Sequence, residues 1–218
     1  MRTKNKISVI VITGNEENNI KDCLQSISWA DEIIVVDSES DDNTVKIAKE
    51  FTDKVFVQKW PGYAKQKSYA ISLAKNEWIL SLDADERVTS QLADEILNFD
   101  LENTNYSAFK IKRENYFIGK KINGCGWGND YQLRLFRKDK TRLNERLVHE
   151  KFIVDGDTAK LSNSILHYPY NNLKDGFDKI NIYSSLEAEE KHTRKKISTL
   201  RIIFYPVVAF LHHYLVRK

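Results

Sequence analysis

Three apolar runs near the start of this chain each stop abruptly on polar groups, and that pattern narrows the choice of fold more than any other feature. Ile7-Ser8-Val9-Ile10-Val11-Ile12 gives way to Thr13-Gly14-Asn15-Glu16, Glu32-Ile33-Ile34-Val35-Val36 ends on Asp37-Ser38, and Trp78-Ile79-Leu80 leads into Ser81-Leu82-Asp83-Ala84-Asp85-Glu86. Apolar and β-branched runs with little polar alternation suit strands buried on both faces of a parallel sheet. Between them the spacing turns helical. Ile20, Cys23, Leu24 and Ile27 mark one helix within 16–28, and Asp41 or Asp42 can cap a second that carries Val45, Ile47 and Ala48. A short strand at 54–57 precedes a third helix at 63–74. Strands alternating with helices in this way predict a three-layer α/β/α sandwich around a mostly parallel central sheet.

Parallel strands aim their C-terminal ends at one rim, where open α/β sheets bind ligands. Residues distant in sequence therefore gather there: Asn15 and Glu16, Asp37 and Ser38, Asp83 and Asp85. One Asp at a strand end is commonly a turn former or helix cap. Three such ends, one holding two carboxylates separated by a single small residue, point instead to a ligand site. Paired hard oxygen donors select Mn²⁺ or Mg²⁺, ions that take further oxygens from water and substrate phosphate.

Composition sets the outer bounds. With 218 residues, 41% hydrophobic and 30% charged, the chain can bury one good core and carry an appendage. A net charge of +3, from 34 Lys+Arg against 31 Asp+Glu, gives no global field for nucleic-acid binding. Cys23 and Cys125 lie far apart without metal-ligand spacing, which predicts two free thiols in a reducing compartment. The basic start, 1–6, precedes an apolar stretch too short for a signal peptide, so it reads as a strand and the catalytic portion is expected in the cytoplasm.

The segments Ser8-Val9-Ile10-Val11-Ile12-Thr13-Gly14-Asn15-Glu16-Glu17, Val35-Val36-Asp37-Ser38-Glu39-Ser40-Asp41-Asp42-Asn43-Thr44 and Leu82-Asp83-Ala84-Asp85-Glu86, in that order, resemble the family 2 glycosyltransferases of the GT-A fold. Residues 130–150 and His167-Tyr168-Pro169 are similar, more loosely, to bacterial lipopolysaccharide core enzymes that add a sugar to an inner-core heptose. The resemblance implies that Asp37 hydrogen-bonds the nucleotide base while Thr13, Asn15, Glu16 and Ser38 line the nucleoside pocket. It implies that Asp83 and Ala84 face the ribose or sugar, and that Asp85, with Asp83, holds the metal that bridges the diphosphate. Lys65 and Lys67 occupy the region where the family often places a basic residue near the donor, although each alone also reads as part of a solvated helix face.

The later part of the chain is expected to serve the acceptor, so that 1–98 form a nucleotide-sugar half and 99–172 an acceptor half of one domain. Residues 109–113 and 131–136 read as strands. Residues 116–127 read as a glycine-rich loop or lid that lacks any phosphate-binding fingerprint. An inverting transfer needs a base to take the proton of the acceptor hydroxyl. By motif order the resemblance assigns Asp130 to that role, with Glu150 as runner-up, and makes His149 a further metal or diphosphate ligand ahead of His167. No Gln-x-x-Arg-Trp motif of processive synthases is present, which favours a single transfer.

Residues 174–196 read as a charged helix with Phe177, Ile180, Tyr183, Leu186 and Ala188 as inner positions. The following 200–211 are strongly apolar but fall short of the roughly 20 residues that span a bilayer, so 173–218 are expected to form interfacial helices on the inner face of the cytoplasmic membrane. Packing on the domain or on a second subunit is the alternative. The expected enzyme moves one hexose from a nucleoside diphosphate sugar, UDP-glucose for example, to a lipid-linked saccharide such as a lipopolysaccharide core. A nucleotidyltransferase or sugar-nucleotide pyrophosphorylase is the rival enzyme, disfavoured by the acidic residues after the first strand, and a membrane-anchored binding module is the rival outside enzymes.

Overall fold

The computed structural model describes residues 5–124, 127–144, 151–170, 172–192 and 199–215. The expected alternation is present as β1 (Ile7–Thr13), α1 (Ile20–Ser26), β2 (Glu32–Asp37), α2 (Thr44–Ala48), β3 (Val55–Val57), α3 (Tyr63–Leu73) and β4 (Trp78–Asp83). Beyond it come β5 (Glu86–Val88), α4 (Ser90–Asn98), β6 (Tyr106–Phe117), β7 (Lys120–Lys121), β8 (Tyr131–Arg137), β9 (Thr141–Leu143), β10 (Phe152–Val154), β11 (Asp157–His167), α5 (Leu173–His192) and α6 (Thr199–Leu215). The main sheet runs β3-β2-β1-β4-β8-β6-β11-β5, with β7 on β6, while β9 and β10 pair separately.

That sheet is mixed. β1 pairs in parallel with β2 and β4, and β2 with β3, so the strands carrying the polar ends are all parallel. β8 then joins β4 antiparallel, β6 joins β8 antiparallel across a bulge at Phe109/Lys110, and β5 joins β11 antiparallel. Every residue of β1 is buried. Its alternate residues divide between two apolar clusters: Val9 and Val11 pack with Cys23, Leu24 and Leu92, while Ile10 and Ile12 pack with Ala70, Ala74 and Phe136. A strand with apolar partners on both faces is the centre of a three-layer sandwich, with α1 and α4 contributing to one cluster and α3 to the other.

The chain divides into two compact units, one of Met1–Arg113 with Tyr131–His167 and one of Glu114–Asp130 with Tyr168–Lys218. In the second, the start of the expected glycine-rich loop is a hairpin. Tyr116 and Phe117 pair with Lys121 and Lys120, and the turn puts Ile118 (φ 47°) and Gly119 (φ 75°) in the left-handed region that a two-residue hairpin requires. Gly126 and Cys125 lie outside the described residues. Tyr116 stacks on Tyr168, Phe117 meets Tyr170 edge-on, and Gly176 at the start of α5 packs against both Phe117 and Tyr170. Two positions expected to face inward on α5, Phe177 and Ile180, are instead 65% and 57% exposed, and Ala188 is exposed too. Apolar spacing marks a face; it does not say whether protein or another medium covers it. Along α6, Leu200, Ile203, Phe204, Val207 and Phe210 are likewise exposed. Among the described residues no helix is long and apolar enough to cross a membrane.

Candidate functional site

Pairing register brings the strand ends together: Thr13 lies beside Asp37, and Ile12 beside Asp83. The turn after β1 is then tied to the turn after β2. Ser38 donates to the Thr13 carbonyl from Oγ (2.7 Å), the Asn15 amide donates to Ser40 Oγ (2.7 Å), and the Asp41 amide donates to Asn15 Oδ1 (3.0 Å). Asn15 adopts φ 54° and Glu39 φ 56°; of the two, Asn is the residue type that tolerates that region better. Gly14 is needed for contact, because a Cβ there would lie 2.5 Å from Ser38 Oγ. Glu16 follows, its amide donating to Thr44 Oγ1 and its carboxylate accepting from Asn19. Asp37 is fully buried and accepts from the Ser40 amide (2.8 Å) and Ser40 Oγ (2.5 Å). The N-cap of α2 is Asn43, not Asp41 or Asp42, and its side chain makes no cap hydrogen bond; Asp42, one residue earlier, accepts from the Thr44 amide through Oδ1. Thr13 Oγ1 is buried with no hydrogen-bond partner among the described residues.

At the end of β4 the structure assembles charge. Lys67 Nζ lies 3.1 Å from Asp83 Oδ1, and Arg134 Nη2 lies 2.8 Å from Asp83 Oδ2. Both cations are buried. Burial alone would raise the Asp83 pKa, but the charges of Lys67 and Arg134, and their hydrogen bonds, outweigh it and hold the carboxyl well below the usual range. For Arg134, burial disfavours the charge, and Glu86 and Asp83 more than restore it. The resemblance alone does not separate Lys65 from Lys67. Residues 63, 66, 67 and 70 share one face of α3, which turns Lys67 inward beside Gln66 and Ala70 and leaves Lys65 exposed.

Asp85 meets a residue that ranks low on sequence grounds: His167 Nε2, at the end of β11, is 3.5 Å from Asp85 Oδ2. The available signal is strand alternation, since Leu161, Ile165 and His167 share a face of β11. His149 and Glu150 lie outside the described residues. Among the described residues no group of three or more His, Cys, Asp or Glu could hold a metal ion. Asp85 and His167 together present one oxygen and one nitrogen donor, a set that Mn²⁺ accepts when substrate oxygens and water complete the shell. Behind this turn, the Cys23 thiol lies 3.8 Å from the Asp83 carbonyl, fully buried, and that burial pushes its pKa up. Arg87 ties the turn to α1, donating to the Ala84 carbonyl (3.3 Å) and to Asn19 Oδ1 (3.1 Å).

Within the second unit, Asp130 Oδ2 accepts from Asn115 Nδ2 at 3.2 Å. Asn115 is buried and also donates to the Trp127 carbonyl (3.4 Å), while its backbone carbonyl accepts from the Ile122 amide (2.8 Å). The hairpin thus fixes one oxygen of a partly exposed carboxylate.

Comparison with known proteins gives this arrangement a lineage. The chain is 33% identical to an uncharacterized glycosyltransferase of Rickettsia typhi, over 98% of this chain and 77% of that protein. It is 28% identical to the lipopolysaccharide core biosynthesis glycosyltransferase LpsC of Rhizobium meliloti, over 98% of this chain and 82% of that one. Among solved structures, TarS 1–349 of S. aureus in complex with UDP-GlcNAc shares the fold with a TM-score of 0.56 at 17% identity, over 77% of this chain and 60% of that chain. Residues 8–161 match the profile described as Glycosyl transferase family 2, a span that takes in the strand ends built above, and the chain belongs to that family of glycosyltransferases.

Proposed function

We propose that this glycosyltransferase moves a single hexose, with inversion, from a UDP-sugar to a hydroxyl of a cell-envelope glycoconjugate, a lipopolysaccharide core or similar lipid-linked saccharide. The observation that carries the reading is the rim cluster in which Lys67 and Arg134 clasp Asp83 while Asp85 meets His167. Support for the substrates comes from relatives: LpsC is named for lipopolysaccharide core biosynthesis, and the fold relative from S. aureus was crystallised with UDP-GlcNAc.

In this reading Asp37 accepts the imide N–H of the base, and Thr13, Asn15, Glu16 and Ser38 line the nucleoside pocket. The exposed edge of Asp83, with Ala84, faces ribose and sugar hydroxyls. Asp85 and His167 would hold Mn²⁺ or Mg²⁺. When bound, that ion supplies Lewis-acid stabilisation of the departing diphosphate. Asp130, held by Asn115, takes the acceptor proton as the hydroxyl oxygen bonds to the anomeric carbon and the bond from that carbon to the diphosphate breaks. Glu150 is the second candidate for that proton, and Lys65 at most lends charge from outside.

The acceptor's lipid gives α5 and α6 a role at the inner face of the membrane. Residues 191–218 hold seven Lys and Arg and no Asp or Glu, and on α6 the apolar side chains of Leu200, Ile203, Phe204, Val207 and Phe210 are exposed. Flotation with anionic vesicles should be salt-sensitive and lost on removing 199–218; equal binding to neutral vesicles, or a dimer that masks α6, would defeat this part.

The decisive experiment is calorimetric titration of UDP, GDP and ADP, with and without Mn²⁺, into the wild type and Asp85→Ala. A Mn²⁺-dependent preference for UDP that Asp85→Ala abolishes supports the donor site. Absence of nucleotide binding by the wild type under every condition would end it.

A further inference from the structure

Glu86 is fully buried and has no part in the mechanism above. Its carboxylate closes a ring of three contacts. The Asp83 amide donates to Glu86 Oε2 (3.1 Å), Arg134 Nη2 donates to Glu86 Oε1 (2.5 Å), and the same Nη2 donates to Asp83 Oδ2 (2.8 Å). Asp85 lies on the stretch of chain that this ring encloses. Arg113 Nη1 stands 3.5 Å from Glu86 Oε1 as a second cation. On the other side, the Glu86 backbone is in register with His167 across β5 and β11, and His167 is the residue whose ring meets Asp85.

We propose that Glu86 is the positioning residue of the donor site, setting Asp83 through Arg134 and the pair Asp85–His167 through the turn and the β5–β11 register. The proposal deepens the donor-site reading above and rests on it. Only an ionised carboxylate of this length accepts at both oxygens from donors on opposite sides. An amide of the same shape offers one acceptor and one NH₂, so either the Asp83 amide or Arg134 would face another donor. The turn would then open, or Arg134 would swing wholly onto Asp83. Either movement displaces Asp83 and the Asp85–His167 pair. Partners of this kind, one step behind the ligands, typically change metal affinity by about 10- to 100-fold when removed.

The test is Mn²⁺ binding followed by electron paramagnetic resonance in the presence of UDP, alongside uracil binding by nuclear magnetic resonance and a thermal melt. Glu86→Gln should weaken Mn²⁺ by about 10- to 100-fold while uracil, which reaches neither Asp83 nor the diphosphate end, binds as in the wild type. Glu86→Asp, one methylene short, should recover part of the Mn²⁺ affinity. Unchanged Mn²⁺ binding in a folded Glu86→Gln would overturn the proposal, and so would an equal loss of uracil, which marks general damage. Should Glu86→Gln fail to fold, Glu86→Asp is read in its place, and Mn²⁺ affinity equal to the wild type in that folded variant would also overturn the proposal. Failure of the wild type to bind UDP with Mn²⁺ is the separate outcome that removes the donor-site reading itself.

Discussion

Glu32 and Asp83 are two lysine-paired carboxylates at opposite ends of the parallel strands, and they are built inside out relative to each other. At the N-terminal edge Glu32 is sealed: it accepts from Ser8 Oγ (2.5 Å) and the Lys75 amide (2.8 Å) and pairs with Lys54, whose side chain is 37% exposed. At the C-terminal rim the cations are sealed and the carboxylate faces out, with Lys67 and Arg134 buried beneath an Asp83 side chain that keeps 30% of its surface open. Burial and pairing are common to both. What differs is which partner is left to meet a newcomer. At the rim it is an anion kept ionised from below, ready to accept from hydroxyls; at the other edge it is a wet lysine. Cavities of about 300 and 370 Å³ lie beside Glu32, away from the rim proposed as the donor site. A site completed by a substrate need not be deep before the substrate arrives.

The strongest way to break this contrast is to remove one cation at each end. Arg134→Met leaves Asp83 and Glu86 without their shared buried cation and should lower unfolding free energy by about 3–5 kcal/mol. Lys54→Met, discounted for its exposure, should cost no more than about 1 kcal/mol. Equal losses in urea titrations would show that the two ends are alike. Neutralising the carboxylates separates chemistry from stability: Asp83→Asn should lower kcat/KM by about 10²- to 10³-fold, whereas Glu32→Gln should leave it unchanged and register only as a lower unfolding midpoint. On α3, Lys67→Met should reduce activity by about tenfold or more, and Lys65→Met, at an exposed position, by less than about twofold. The smallest effect is on acid stability. Burial raises the Glu32 pKa, but hydrogen bonds from Lys54, the Lys75 amide and Ser8 more than offset it, so the folded value is lowered from about 4.5. The unfolded chain therefore binds more protons, and the stabilisation is full above that value and lost as pH falls through the folded one. Urea midpoints from about pH 6 to about pH 3 should fall less steeply in Glu32→Gln than in the wild type; parallel curves would contradict the Glu32 assignment.

How much of this is legible in the sequence depends on the kind of contact. The parallel half can be read because unbroken apolar runs such as 9–12 and 33–36 leave few alternatives, and parallel geometry then places Asp37 and Asp83 at one rim. The antiparallel half is harder. The strand over 157–167 mixes Lys, Ser and Asn with its apolar residues, so its alternation is weak, and His167 ranks below His149. The helix over 90–98, opened by Thr89 accepting from the Leu92 amide, follows the acidic motif so closely that the motif masks it. Arg134 is visible only as one residue of a strand, because nothing local says that a strand entering from the far half will lay its guanidinium on Asp83. Lys67 is within reach: its spacing from Tyr63 and Ala70 puts it on the inward face, and a lysine there needs an anion.

Cys23 offers a clock. Its thiol is walled in behind the Asp83 carbonyl by α1 and is held in its unreactive protonated form, so an alkylating reagent must wait until the helix lifts from the sheet. The rate at which that sulfur is trapped counts how often the floor under the acidic turn comes undone, and a nucleotide that presses on the turn from the front should slow the count without ever touching the sulfur.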